Sequence, residues 1–280
     1  MVPPKSKLGQ NFLRDEQAIR RIVAALGDCS GRTVVEIGPG RGAITRELAA
    51  KAGRVVALEV DSALAAELVD DFSRTDFERG ATVRIENVDV LAFDFGGESN
   101  AAGERLLVLG NLPYYITSPI LTKLAENAGA LDRAVLMVQR EVADRVAAKP
   151  GTRDYGLLSV TVQLHGVVTP LFTLPPSAFS PPPEVHSTVF RWQFAPRFEK
   201  LGVRRESFLA FLRRAFALKR KTLVNNLRAA GMEAETIGRV LERAAVEPQA
   251  RAEALPIETL AAVWREIKNE GAIPFDEMAR

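Results

Sequence analysis

Short apolar runs recur along the first two-thirds of the chain: Thr33–Ile37, Arg54–Leu58, Thr82–Glu86, Leu106–Leu109 and Ala134–Val138. They are continuous rather than alternating and often β-branched, as strands buried on both faces of a parallel sheet should be. Between them, Ala43–Lys51, Ser62–Phe72 and Ser118–Asn127 carry Ala, Leu, Glu and Arg at helical spacing. Strand and helix alternating every roughly 20–30 residues is the rhythm of a doubly wound α/β domain. Two further runs, Gly166–Leu174 and Ser187–Gln193, flank a proline-rich turn (Pro175, Pro176, Pro181, Pro182, Pro183) and would close the sheet with an antiparallel edge. Tyr155–Leu164 is ambiguous by pattern and is read as helix. From about Lys200 the β-branched runs stop. Glu206–Ala217, Glu233–Ala244 and Ile257–Lys268 all show helical spacing, and Phe208, Phe211, Leu212, Ala215 and Phe216 would form one apolar face. The expected division is an α/β domain over residues 1–198 and a smaller all-helical domain over 199–280, with the boundary within Ala195–Val203.

Composition narrows the class. With 47% hydrophobic and 26% charged residues the chain is no disordered tail, fibre or disulfide scaffold. A net charge of +2 does not announce a nucleic-acid partner, so any such partner must be argued from where the charges sit. The single cysteine, Cys29, can form no internal bridge, which fits a reducing compartment. No apolar run approaches the ~18 residues of a membrane span, and the first ten residues lack a signal-peptide core. The expectation is a soluble, cytoplasmic protein without a membrane partner. His165 and His186 are the only histidines, and neither sits with Cys or acids at metal-ligand spacing. No metal is expected, and both read as structural histidines.

The first strand runs into a glycine-rich turn, Glu36-Ile37-Gly38-Pro39-Gly40-Arg41-Gly42-Ala43. Glycines let backbone turn tightly and approach a ligand, and the following helix offers free N–H groups. Alone this is a weak signal: a ligand-free turn and a dinucleotide fingerprint both satisfy it. The second strand ends in Ala57-Leu58-Glu59-Val60-Asp61, placing a carboxylate about twenty residues on, where an acid can accept both ribose hydroxyls of NAD or of S-adenosylmethionine alike. The third leads to Asp89. A second acid suits the adenine amino group of S-adenosylmethionine and has no standard role with NAD. Either acid could cap a following helix, but two of them at successive strand ends beside a glycine loop favour the cofactor.

After the fourth strand comes Gly110-Asn111-Leu112-Pro113-Tyr114-Tyr115-Ile116. An Asn-Leu-Pro-Tyr segment at a strand end looks like the motif of methyltransferases acting on exocyclic amino groups of bases. The N6 lone pair of adenine is delocalised into the ring. The Asn111 carbonyl and a nearby backbone carbonyl can accept both N6 hydrogens and localise that pair. Pro113 holds Leu112 extended, and Tyr114 offers a face for an extruded base.

Together with Lys7-Leu8-Gly9-Gln10-Asn11-Phe12-Leu13 and Phe179-Ser180-Pro181-Pro182-Pro183-Glu184-Val185, these motifs resemble the ribosomal RNA adenine N6,N6-dimethyltransferases. They most resemble the bacterial small-subunit (16S) branch, over nearly the whole chain from Lys7 to Lys219-Arg220-Lys221-Thr222-Leu223. The resemblance implies a Rossmann-like class I methyltransferase fold with a mostly parallel sheet, and S-adenosylmethionine as cofactor. It implies that Asn11 and Leu13 close over the cofactor, Gly38 lies beside it, Glu59 binds its ribose and Asp89 meets its adenine. Asn111 would sit between cofactor and base, with Phe179 stacking opposite Tyr114. Two departures stand out. Tyr115 occupies a position where many relatives have Asn, leaving open which tyrosine stacks, and His186 one where Asp is common.

The implied partner is 16S ribosomal RNA within the small subunit or its precursor, met by a monomer. Arg204–Lys221 holds seven basic residues against one acid, Glu206. Read as a continuing helix, Arg213 and Arg220 would share a face, and Arg220 and Lys221 are the candidate RNA contacts. Lys5, Lys7, Arg14, Arg20 and Arg21 form a second basic candidate. Rival readings are a large-subunit RNA dimethylase, a DNA adenine methyltransferase, a non-catalytic ribosome-assembly or transcription factor on the same fold, and an oxidoreductase, which Asp89 and Asn111 disfavour.

Overall fold

The computed structural model describes residues 11–73 and 82–271. Lys5 and the Lys7–Gln10 stretch of the N-terminal motif lie outside the described residues. Among those described, the strands are β1 (Phe12–Leu13), β2 (Thr33–Ile37), β3 (Arg54–Glu59), β4 (Thr82–Asn87), β5 (Leu106–Asn111), β6 (Leu131–Gln139), β7 (Gly166–Leu174), β8 (Phe179–Ser180) and β9 (Ser187–Phe194). The α-helices are α1 (Glu16–Ala24), α2 (Ala43–Ala49), α3 (Ser62–Ser73), α4 (Phe95–Ala102), α5 (Thr117–Glu126), α6 (Arg140–Val146), α7 (Leu157–His165), α8 (Arg205–Ala215), α9 (Leu223–Ala229), α10 (Ala234–Arg243) and α11 (Ile257–Asn269).

The main sheet runs β4-β3-β2-β5-β6-β9-β7. The first five strands are parallel, and β9 is antiparallel to both of its neighbours. β2 is buried throughout and β3 and β5 nearly so, which is why they read as continuous apolar runs. β4 ends the sheet and is correspondingly polar, with Arg84 and Glu86 in its middle. The chain steps outward from β2 to β4 and then returns to lay β5 beside β2. That reversal opens a crevice at the carboxyl ends of β2 and β5, where open α/β sheets bind ligands. Strands β3, β4, β5, β6 and β9 extend past the runs that announced them. Glu59 pairs with Asn87, and Asn111 with Met137, so these polar residues still belong to the ladder.

The chain divides into two compact units. One runs up to Ala143 and resumes over Gly166–Ala195; the other takes Asp144–His165 and continues from Pro196. This departs from a single break at residue 198. Tyr155, Val160 and Leu164 bury in one apolar cluster with Phe208, Phe211 and Trp264, so α7 belongs with the helices that follow rather than with the sheet. In the first unit α1 begins at Asp15, whose side chain accepts the Ala18 N–H (3.0 Å), and buries Ile19, Ile22 and Val23. A second departure concerns the basic block. α8 stops at Ala215 and α9 starts at Leu223, so residues 216–222 form a loop and the shared helical face of Arg213 and Arg220 does not exist.

Candidate active site

The glycine turn after β2 takes three left-handed residues in five: Gly38, Gly40 and Gly42 have φ of 69°, 57° and 75°. A side chain at Gly40 would also come within 2.9 Å of the Phe12 ring. The turn therefore needs glycine twice over, for its path and for the close approach of β1. Glu59, at the end of β3 and 4% exposed, ties to this turn. One carboxylate oxygen accepts the Gly40 N–H (3.1 Å) and the other the Asp61 N–H (3.0 Å). Burial pushes its carboxyl above the ordinary range, and the two backbone donors oppose that rise. Asn87 closes the arrangement by donating to the Glu59 carbonyl (2.8 Å). Asp89, two residues past β4, accepts from Leu91 N–H (2.9 Å).

These groups face a cavity of about 700 Å³, large enough for a small-molecule cofactor. Gly38, Glu59, Asp89, Asn111, Pro113 and Tyr114 all line it. Asn11 and Leu13 of the N-terminal segment also line it, and β1 pairs with β8. The Asn111 amide nitrogen donates to the Asn11 carbonyl (3.2 Å), leaving its carbonyl oxygen as the acceptor end. Pro113 has φ −60° and ψ 133°, and its carbonyl is taken by the Thr117 hydroxyl (2.9 Å). Tyr114 opens a single 3-10 turn, Tyr114–Ile116. Tyr115 stands 53% exposed at the rim. Burial raises the pKa of its phenol, as do the charges of Asp89 and Glu59.

Phe179 is the residue that does not join them. The ring expected opposite Tyr114 is 4% exposed and packs in an apolar cluster with Leu13, Ala178 and Val189; its neighbour Ser180 lines the cavity instead. The β1–β8 pairing sets Phe179 beside Leu13, and burying the ring among apolar neighbours is favoured over exposing it.

Sequence reasoning missed three contributors. Phe12 carries Arg41 against its ring, 4.8 Å from the centroid, fastening β1 to the glycine turn. Ser187, at the start of β9, meets the Tyr114 hydroxyl at 3.0 Å. Glu36, 1% exposed in β2, has an oxygen without a hydrogen-bond partner, and burial together with the neighbouring Glu59 charge pushes its carboxyl up to about 8. Glycine-loop spacing flagged the strand that holds Glu36 but gave no sign that its carboxyl would be buried. Among the described residues no three His, Cys, Asp or Glu side chains are grouped as metal ligands, and no helix is long and apolar enough to cross a membrane. His165 is buried with Nδ1 2.7 Å from the Thr161 carbonyl, as befits a structural histidine.

On the helical unit, Lys219, Arg220 and Lys221 are exposed in the loop after α8. Arg220 sits in left-handed backbone (φ 65°), unusual for a non-glycine residue. The buried Asn226 holds the loop's path: its side-chain oxygen accepts the Leu218 N–H (2.8 Å) and its nitrogen donates to the Leu218 carbonyl (3.4 Å).

Residues 3–269 match the family model described as ribosomal RNA adenine dimethylase. A protein of Acidobacterium capsulatum called ribosomal RNA small subunit methyltransferase A is 56% identical over 95% of this chain and 92% of its own length. Its namesake in Koribacter versatilis is 48% identical over 94% of each. Among solved structures, a dimethyladenosine transferase from Plasmodium falciparum superposes with a TM-score of 0.75 at 23% identity, over 93% of this chain and 98% of that one. The 23S rRNA methyltransferase ErmE gives 0.67 at 24%, over 92% and 100%. At these identities the two superpositions speak to the fold.

Proposed function

The chain belongs to the ribosomal RNA adenine dimethylase family, and on that premise we propose that it converts two adjacent adenosines near the 3′ end of 16S ribosomal RNA to N6,N6-dimethyladenosine. S-adenosylmethionine, when bound, supplies the methyl group on a cationic sulfur. The observation that carries the reading is one cavity lined by Glu59, Asp89 and Asn111 together. The glycine turn, with no side chain at Gly38, Gly40 or Gly42, and the buried carboxylate of Glu59 fit an adenosine-bearing cofactor: Glu59 would accept its ribose hydroxyls and Asp89 its adenine amino group. Asn11 and Leu13 would cover it.

Asn111 then does the positioning. With its nitrogen committed to the Asn11 carbonyl, its oxygen accepts one N6 hydrogen of the target adenine. The Pro113 carbonyl is occupied by Thr117, which leaves that of Leu112 for the second. Both bonds draw the lone pair of N6 out of conjugation and toward the methyl donor. The amine becomes acidic as it gains a methyl group, so the proton passes to water without a strong base. Positioning and fixed dipoles carry most of the acceleration. Tyr114 supplies the stacking face for the extruded base. Arg220 and Lys221 hold RNA phosphates. The enzyme works in the cytoplasm as a monomer on the small subunit or its precursor.

The test is incubation with labelled cofactor and small subunits from a strain lacking this modification, with large subunits in parallel, followed by mapping of the labelled bases. Dimethyladenosine in 16S RNA alone is expected. Label confined to the large subunit would replace this reading by that of a large-subunit dimethylase.

A further inference from the structure

A tyrosine on a single 3-10 turn swings about its first side-chain bond unless its far end is held. Here the far end is held. The Tyr114 hydroxyl and the Ser187 hydroxyl lie 3.0 Å apart. Ser187 is fully buried, and its position is set on both sides: it stands opposite Gln139 of β6 and opposite Leu174 of β7. A short side chain on a doubly paired strand is a rigid anchor. Tyr114, in contrast, is only half-buried and belongs to no strand.

Topology explains how the anchor reaches its place. β5 and β6 are parallel and finish at the same edge of the sheet, at Asn111 and Gln139. β9 runs against β6, so its first residue, not its last, lies at that edge. A strand continuing the parallel order would have brought a carboxyl-terminal residue there instead. The prolines Pro181, Pro182 and Pro183 lie between Ser180, on the cavity wall, and Ser187. They limit how far the approach to β9 can bend.

We propose that Ser187 is a positioning residue for methyl transfer: its hydroxyl bonds that of Tyr114 and fixes the ring in the orientation on which an extruded adenine stacks. The inference rests on the reading of Tyr114 as the stacking face. Ser187 does not touch the reacting atoms. Its effect passes through Tyr114 alone, and that sets the signature by which it is recognised.

The experiment is a double-mutant cycle in the full chain. Ser187→Ala, Tyr114→Phe, their combination and Ser187→Thr are compared in single-turnover methylation of unmodified small subunits, with cofactor affinity measured by calorimetry. Each single loss of the bond should slow methyl transfer about five- to tenfold, the effect of one neutral hydrogen bond. Cofactor affinity should not move. The combined variant should be no slower than the slower single, because both remove the same bond. Ser187→Thr, which keeps the hydroxyl, should recover most of the rate. Tyr114→Phe removes one oxygen and opens no cavity, so it reports even if Ser187→Ala folds poorly. A wild-type rate in Tyr114→Phe, or losses that multiply in the combined variant, would overturn the tether while leaving the enzyme reading intact. Wild-type protein that leaves every adenosine unmodified would overturn both.

Discussion

The cavity at the sheet edge and the basic loop of the helical unit present their polar and charged groups in opposite ways. At the sheet edge Glu59, Asp89 and Asn111 are already engaged with backbone: Glu59 with Gly40 and Asp61, Asp89 with Leu91, Asn111 with Asn11. In the loop the backbone is held by Asn226 and bent at Arg220, while Lys219, Arg220 and Lys221 extend into solvent. The difference follows from distance dependence. Methyl transfer requires atoms placed within a fraction of an ångström, so side-chain freedom must be lost on folding rather than during reaction. Attraction to phosphate falls slowly with separation and tolerates mobile side chains. Changes at the edge should therefore alter a rate or one specific affinity with little salt dependence, and changes in the loop should alter docking and its response to salt.

The largest effect is expected at Asn111. Asn111→Ala should slow turnover by roughly 10²–10³, the loss seen when one preorganised polar group is removed from an active site. Single-turnover kinetics on small subunits measure it, and a normal rate would exclude the lone-pair mechanism.

Glu59→Ala comes next. A charged acceptor is worth about 1.5–3 kcal/mol per hydrogen bond, so losing even one ribose contact should lower cofactor affinity roughly 10–100-fold, while affinity for the ribosomal particle is unchanged. Calorimetry gives the first and a filter assay the second. Because burial raises the Glu59 pKa, the carboxylate is lost at a higher pH than an ordinary glutamate as the solution is acidified. Wild-type cofactor affinity should weaken correspondingly early on lowering the pH.

The loop tests the other half of the comparison. Replacing Arg220 and Lys221 with Ala should weaken particle binding several-fold. It should also flatten the plot of log affinity against log salt by ~0.7 for each lost phosphate contact on single-stranded RNA. Cofactor affinity should stay the same. Equal affinities and parallel salt lines would make this loop an ordinary solvated surface and turn attention to Arg14, Arg20 and Arg21.

The smallest effect concerns stability. With its pKa raised from 4.5 to about 8, Glu36 keeps its proton in the folded chain over a range where the unfolded chain has lost it. Stability then declines as pH rises through that range. Glu36→Gln mimics the neutral carboxyl, so it should match wild type near pH 4 and melt higher at pH 8. The gain should be at least the roughly 2–4 °C that 1 kcal/mol brings in a unit of this size. Calorimetric melts across pH 4–8 check it, and a variant less stable at pH 8 would show that Glu36 is ionised in the fold.

Much of this molecule is determined by local sequence. The parallel strands announce themselves because burial on both faces demands unbroken apolar runs, as in Thr33–Ile37. The glycine turn, Glu59, Asp89 and the Asn111–Tyr114 motif stand out in the sequence because few residue types can turn that backbone or present such acceptors at strand ends, and one cavity brings them together. Strand ends were less legible, since Glu59, Asn87 and Asn111 are polar where the ladder continues. What only the tertiary structure decided are meetings between distant segments. Sheet closure sets Ser187 against Tyr114 and packs Phe179 beside Leu13. The apolar faces of α7 and α8 find one core and carry Asp144–His165 into the helical unit. Asn226 captures Leu218 in the loop where the pattern suggested a continuing helix. Periodicity reports which face of an element is apolar; which other face will cover it, and which buried hydroxyl or amide will find a partner, is settled by the packing of the whole chain.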